Sequence, residues 1–183
     1  MKALIINQSQ QAGVETMVTS WIADCLYCVV GTDNKIDVRI VPCYRRLGES
    51  GGDDYLLKKS VNKANDYYRE FTRQGVPKKH ICQVDIHADS CVGEGWGSSC
   101  LYISSSGYNL AALIYRELEK ITPWGDRGVV KRKDLWTLKE SLTINTVIEC
   151  SFYDESKQKC WMQNNAKLLA RTIAKGVYAY LGV

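Results

Sequence analysis

The sequence predicts a single three-layer α/β/α domain with a mostly parallel, twisted central sheet. Three observations predict it. Short apolar runs of strand length alternate along the chain with longer segments of helical spacing, the pattern of a doubly wound sheet. The polar residues that stand out fall at or just after the ends of those runs: Gln8 to Glu15, His87 to Asp89, and Glu149. In open α/β sheets the ligand site gathers outside the carboxyl ends of the strands. The length, 183 residues with 45% hydrophobic and 24% charged, suits one globular unit with a sizeable core. No internal repeat, low-complexity tract or linker divides residues 1–183, so one domain is expected.

Each element has its own justification. Leu4 to Ile6 reads as a buried first strand, and the polar turn Gln8-Ser9-Gln10-Gln11-Ala12-Gly13 follows it. Met17, Trp21, Ile22, Cys25 and Val29 give Glu15 to Val30 helical spacing. Ile36 to Val41 alternates with charge as a second strand, and Gly48 to Asp54 is a glycine-rich loop. Leu56 to Gln74 is a helix with a polar face, stopped by Gly75 and Pro77. Ile81 to Ile86 is a third strand that delivers His87 at its end. Ser90 to Ser99 is a loop around Trp96, and Cys100 to Ile103 is a strand. Tyr108 to Ile121 is a helix broken by Pro123-Trp124-Gly125. Asn145 to Cys150 is the last strand, and Asp154 caps a final helix running to about Tyr180.

Composition narrows the partners. The net charge of +4 favours anionic polymers only loosely. Lys131-Arg132-Lys133 is the densest basic run and reads as a solvated loop; no basic cluster is interleaved with aromatics, so no nucleic acid partner is expected. The segment Met1 to Asn7 is too short for a secretory apolar region and lacks a cleavage site. No apolar run approaches membrane-spanning length. The chain is therefore expected to have no membrane span and to be made in the cytoplasm without a signal peptide. Its eight cysteines read as reduced thiols. Cys25 and Cys28 have C-x-x-C spacing, but they lie inside an amphipathic helix with no second pair, which favours core packing.

The stretch Val84-Asp85-Ile86-His87-Ala88-Asp89-Ser90 carries most of the chemical information. An imidazole held at a strand end is a good zinc ligand or acid–base group. The chain has only two histidines, His80 and His87. A second strand end, Thr146-Val147-Ile148-Glu149-Cys150-Ser151-Phe152, brings a carboxylate to the same edge of the sheet.

In this order, these segments resemble the zinc-dependent N-acetylmuramoyl-L-alanine amidases of bacterial cell walls and phage endolysins, over nearly the whole chain. The resemblance is carried by Asp85-Ile86-His87-Ala88-Asp89, Ala64-Asn65, Arg127-Gly128-Val129, Asp134-Leu135-Trp136-Thr137-Leu138 and Ile148-Glu149-Cys150-Ser151-Phe152. It implies a Zn2+ ion bound by a histidine after the first strand, a glutamate at the start of the first helix and the histidine of the third strand. Water takes the fourth position, the open arrangement of catalytic zinc. Glu15 and His87 match two of the ligands, and Glu149 matches the general base that passes the water's proton to the leaving amine. The first histidine is missing: the turn reads Ser9-Gln10-Gln11, with Gln10 as the counterpart. An amide oxygen is a poorer zinc ligand than imidazole. Three readings are open at this point. Gln10 or Gln11 completes the site, His80 swings in, or the site is metal-free.

Softer expectations surround this centre. Asp85 and Asp89 stand where the family has serine and asparagine, adding charge near the metal position or capping the strand end. Arg127 and Asp89 are candidate substrate contacts, Arg127 for a wall-peptide carboxylate, with a structural ion pair as the rival. Gly93-Glu94-Gly95-Trp96-Gly97 is a candidate rim. Trp96, Trp124 and Trp136 are candidates for stacking on sugars, with two of the three expected in the core. The function so implied is hydrolysis of bacterial peptidoglycan between N-acetylmuramic acid and the first L-alanine of the stem peptide. It would act on the wall after release or within a phage or prophage lysis system. The rivals are a metal-free wall-binding or regulatory homologue, and a thiol enzyme using Cys91 or Cys150.

Overall fold

Six strands form one sheet in the order β2-β1-β3-β6-β4-β5: β1 Lys2–Gln8, β2 Ile36–Ile40, β3 Ile81–Asp89, β4 Ser98–Tyr102, β5 Asp126–Lys131 and β6 Ile144–Phe152. The computed structural model describes the chain apart from residues 12, 33, 46–53 and 92–94. The expected glycine-rich loop after Gly48 and the Gly93-Glu94 half of the expected rim lie outside the described residues. β2, β1, β3 and β6 are mutually parallel, while β4 runs antiparallel to β6 and carries β5 parallel to itself. The mostly parallel sheet expected from the sequence is thus present, with a reversed pair at one edge. β6 lies inside the sheet, between β3 and β4.

Side-chain alternation along the strands divides the core into two layers. From β1, Leu4 and Ile6 enter the larger cluster with α1 (Gly13–Gly31), α3 (Ser105–Leu118) and α6 (Ala166–Leu181). Ala3 and Ile5 point the other way, onto Ala64 and Phe71 of α2 (Asp54–Arg73). On that second face Leu101 and Val147 pack against Leu138 of the short α4 (Trp136–Glu140). α5 (Ser156–Asn164) adds Met162 to the larger cluster. The approach of α3 to α6 depends on Gly176, where a Cβ would fall 2.5 Å from Ile114 Cα.

Several expectations need correction. β5 and α4 were not anticipated: one is a charged edge strand, the other only five residues long. The final helix is two helices, because Asn165, at φ −116° and ψ 18°, ends α5 before α6 begins. Its cap is Glu155, whose carboxylate accepts from Lys157 N and Gln158 N, whereas Asp154 accepts from Cys91 N at 2.9 Å. Cys25, half-buried, packs against the larger cluster as expected, whereas Cys28 is exposed. None of Trp96, Trp124 and Trp136 is buried. Contrary to the expectation that no run approaches membrane-spanning length, α1 is apolar enough by length and composition to cross a membrane, and here it packs on the sheet through residues such as Val18, Ile22, Leu26 and Val30. All eight cysteines are free thiols.

Candidate active site

The parallel pairing of β3 with β6 places His87 directly opposite Glu149. Residues in register across a ladder share a face, and this is the α2/α4 face of the sheet. The first turn of α1 adds Glu15, a position where the helix dipole favours a carboxylate. Glu15 Oε1 lies 3.0 Å from His87 Nδ1 and accepts from Ala88 N at 3.4 Å. Thus the structure brings together Glu15, His87 and Glu149 from three distant parts of the chain. The Glu15 side chain is 5% exposed and that of His87 14%, so the imidazole keeps a path to solvent.

The electrostatics follow from burial and crowding of like charges. Desolvation raises the Glu149 carboxyl to about 7; the charges of Asp89 and Glu15 push the same way, and those of His87 and Arg127 oppose. Its Oε2 is buried without a hydrogen-bond partner. For His87, burial acts to lower the pKa. The hydrogen bond and charge of Glu15, then the charges of Glu149 and Asp85, outweigh burial and hold the imidazole at about 9.

Asp85 is not at the rim but beneath the site, fully buried. It accepts from Gln83 Nε2 at 2.6 Å and Thr137 Oγ1 at 2.7 Å, which ties α4 to β3. Burial raises its carboxyl above the usual range against those hydrogen bonds. Asn65 extends the same support: it donates to Glu140 O at 2.9 Å and accepts from Leu142 N at 2.8 Å. Reasoning from sequence missed this polar layer. Its only signal was an aspartate and a glutamine, Asp85 and Gln83, on one face of an otherwise apolar strand.

Gln10 is placed differently from the expected metal donor. Its Oε1 accepts from Tyr44 N at 2.9 Å, its Nε2 donates to Gln8 O at 3.1 Å, and its own carbonyl accepts from Arg45 Nε at 2.8 Å. The residue latches the segment after β2 onto the first turn. His80 closes a 3-10 turn, Lys78–His80, at the far end of β3, with the length of the strand between it and His87. The two expected substrate contacts bind each other: Arg127 Nη2 donates to Asp89 Oδ2 at 2.7 Å, and its guanidinium lies 4.7 Å from the Phe152 ring. A register shift between His87 and Asp89 sets Asp89 against Phe152 and builds this rim. The thiol reading loses support, since Cys150 packs in the opposite core layer and burial raises both it and Cys91.

His87 and Glu15 are chemically suited to zinc as two protein ligands. Among the described residues, no three His, Cys, Asp or Glu side chains gather as metal donors. His87 and Glu15 thus fit two of the three expected positions, while Gln10, in the third, has its Oε1 accepting from Tyr44 N.

The α/β sheet thus opposes a buried carboxylate to an imidazole–carboxylate pair at its carboxyl edge. The family model of the N-acetylmuramoyl-L-alanine amidases matches residues 10–179, and the chain belongs to that family. Among solved structures it is similar to the catalytic domain of CwlV, an N-acetylmuramoyl-L-alanine amidase from Bacillus (Paenibacillus) polymyxa var. colistinus. The TM-score is 0.80 at 19% identity, covering 100% of this chain and 99% of that one. It is similar also to the catalytic domain of the CD27L endolysin targeting Clostridia difficile, with TM-score 0.74, 21% identity and 98% of each chain covered. The amidase AmiC2 of Nostoc punctiforme aligns with TM-score 0.75 at 17% identity, over 100% of this chain and 99% of that one. Among curated proteins no match in sequence is found.

Proposed function

We propose that this chain is a peptidoglycan hydrolase that cleaves the amide between N-acetylmuramic acid and the first L-alanine of the stem peptide. The observation that carries the reading is the pairing of Glu149 with His87 across β3 and β6, with Glu15 on the imidazole. His87 and Glu15 would hold a zinc ion, which when bound polarises a carbonyl and acidifies water. Glu149 takes the proton of the attacking water and returns it to the leaving amine. A carboxyl raised to about 7 is matched to both halves of that task. Its unpartnered Oε2 leaves an acceptor free for the water. Arg127 and Asp89 form the charged rim where a stem-peptide carboxylate would arrive, and Asp85 with Thr137 keeps β3 and α4 in register beneath. The site of action would be the cell wall, in keeping with the wall and endolysin relatives in fold.

The test is release of new L-alanine amino termini from purified peptidoglycan, with added zinc and with a chelator. Zinc-dependent release is the expected result. A specific observation favours a second reading, a metal-poor homologue that binds wall without cutting it: the Gln10 amide is held by main chain. Bound-metal analysis separates the two, since protein free of zinc after dialysis against it, and inert on several wall types, leaves only the second. Gln10→His tests the turn directly, with tighter zinc binding expected if position 10 faces the site.

A further inference from the structure

The outer face of α1 is more apolar than its packing on the sheet requires. Val14 is 42% exposed, Met17 45% and Trp21 56%, and Cys28 is exposed on the same side. With Asp24 these residues repeat at spacings of three and four, the period of a helix–helix seam. Trp21 stands as a ridge between two hollows. One, of about 380 Å³, is lined by Met17, Ser20, Cys43 and Arg45, and the other, of about 460 Å³, by Cys25, Cys28, Lys167 and Arg171. Asp24 borders both. Neither Asp24 nor Lys167 nor Arg171 makes an ion pair among the described residues.

The geometry points to a second copy of this chain as the occupant, in a two-fold homodimer built on α1. In a two-fold interface the same patch meets itself. A protruding tryptophan beside hollows suits that arrangement, because each Trp21 enters a hollow of the other copy, and buried tryptophans dominate interface energies. The charges point the same way. A partner of one sign would meet repulsion from either Asp24 or the Lys167–Arg171 pair, whereas a second copy sets Asp24 of each chain against Lys167 and Arg171 of the other.

Sedimentation velocity of the full chain, from about 1 to 100 μM, detects any association with a Kd of about 100 μM or tighter and tests the proposal. A dimer is expected. Trp21→Glu should give a monomer with an unchanged circular dichroism spectrum. Asp24→Lys should weaken association by roughly tenfold or more. Mixing it with the Lys167→Glu/Arg171→Glu chain should restore a heterodimer, a rescue that a merely damaged surface would not give. A wild-type monomer throughout the range overturns the proposal, as does a dimer indifferent to Trp21→Glu. A monomer that pellets with phosphatidylglycerol–phosphatidylethanolamine vesicles in a Trp21-dependent way also overturns it. None of these readouts depends on hydrolysis of the wall.

Discussion

Glu149 and His87 face each other as a desolvated acid and a charged imidazole, and each makes a prediction at the scale of one residue. Glu149→Gln keeps the shape and removes the group that can take up a proton. Release of L-alanine amino termini should fall by about 10³-fold, within the 10² to 10⁴ typical of acid–base groups, with the melting temperature near wild type. His87 sets a pH dependence in metal-free protein. Its folded value of about 9 exceeds the ordinary 6.5, so its stabilisation is complete below about 6.5 and is lost as pH rises through 9. Thermal unfolding with chelator present should therefore show stability declining across that window, by at most roughly 3 kcal/mol at 1.36 kcal/mol per pKa unit. Glu15→Gln should flatten the decline. His87 and Glu149 were legible in the sequence because each ends an apolar run, and Glu15 because it opens a helix. Gln10 was not, since spacing says nothing of where an amide turns, and here Tyr44 N and Gln8 O claim it.

At the scale of elements, contacts between helices, strands and turns decide what tolerates change. Gln10→Ala removes the acceptor for Tyr44 N and unlatches the segment after β2. A cost of about 1–3 kcal/mol follows for leaving such a donor unmet, and hydrogen exchange at the Tyr44 amide should quicken. Gly176→Ala drives a methyl to within 2.5 Å of Ile114 Cα, so α3 and α6 must separate. Overpacking of this kind costs roughly 1–3 kcal/mol, a fall of several degrees in Tm at this chain length, checked by calorimetry. The long, strongly periodic helices and the apolar strands were readable in advance. β5 and α4 were not. The edge strand, Asp126-Arg127-Gly128-Val129-Val130-Lys131, has only two adjacent valines between charged ends and a glycine, and takes its pairing from β4 rather than from its own composition. α4 is a single turn stabilised by Asp85 and Asn65 from other elements.

Across the whole molecule, the fold class was readable because short apolar runs of strand length alternate along the chain with segments of helical period. The reversed β4–β5 pair and the polar layer under the site were not, since both depend on which segments meet in space. The outer face of α1 belongs to this scale too: its apolar residues look like core in the sequence, and the structure turns them outward. β6 binds the halves together, with β1 to β3 on one side and β4 to β5 on the other. A fragment covering residues 1–143 should remain without cooperative unfolding by calorimetry, because β3 and β4 then have no strand between them. The position of β6 also sets the order of events during synthesis. A chain emerging from the ribosome exposes the edges of β3 and β4 until residue 152 is made, and chaperone occupancy of the nascent chain should peak in that interval. Glu149 arrives on the strand that closes the sheet, so no partly made chain can set it opposite His87.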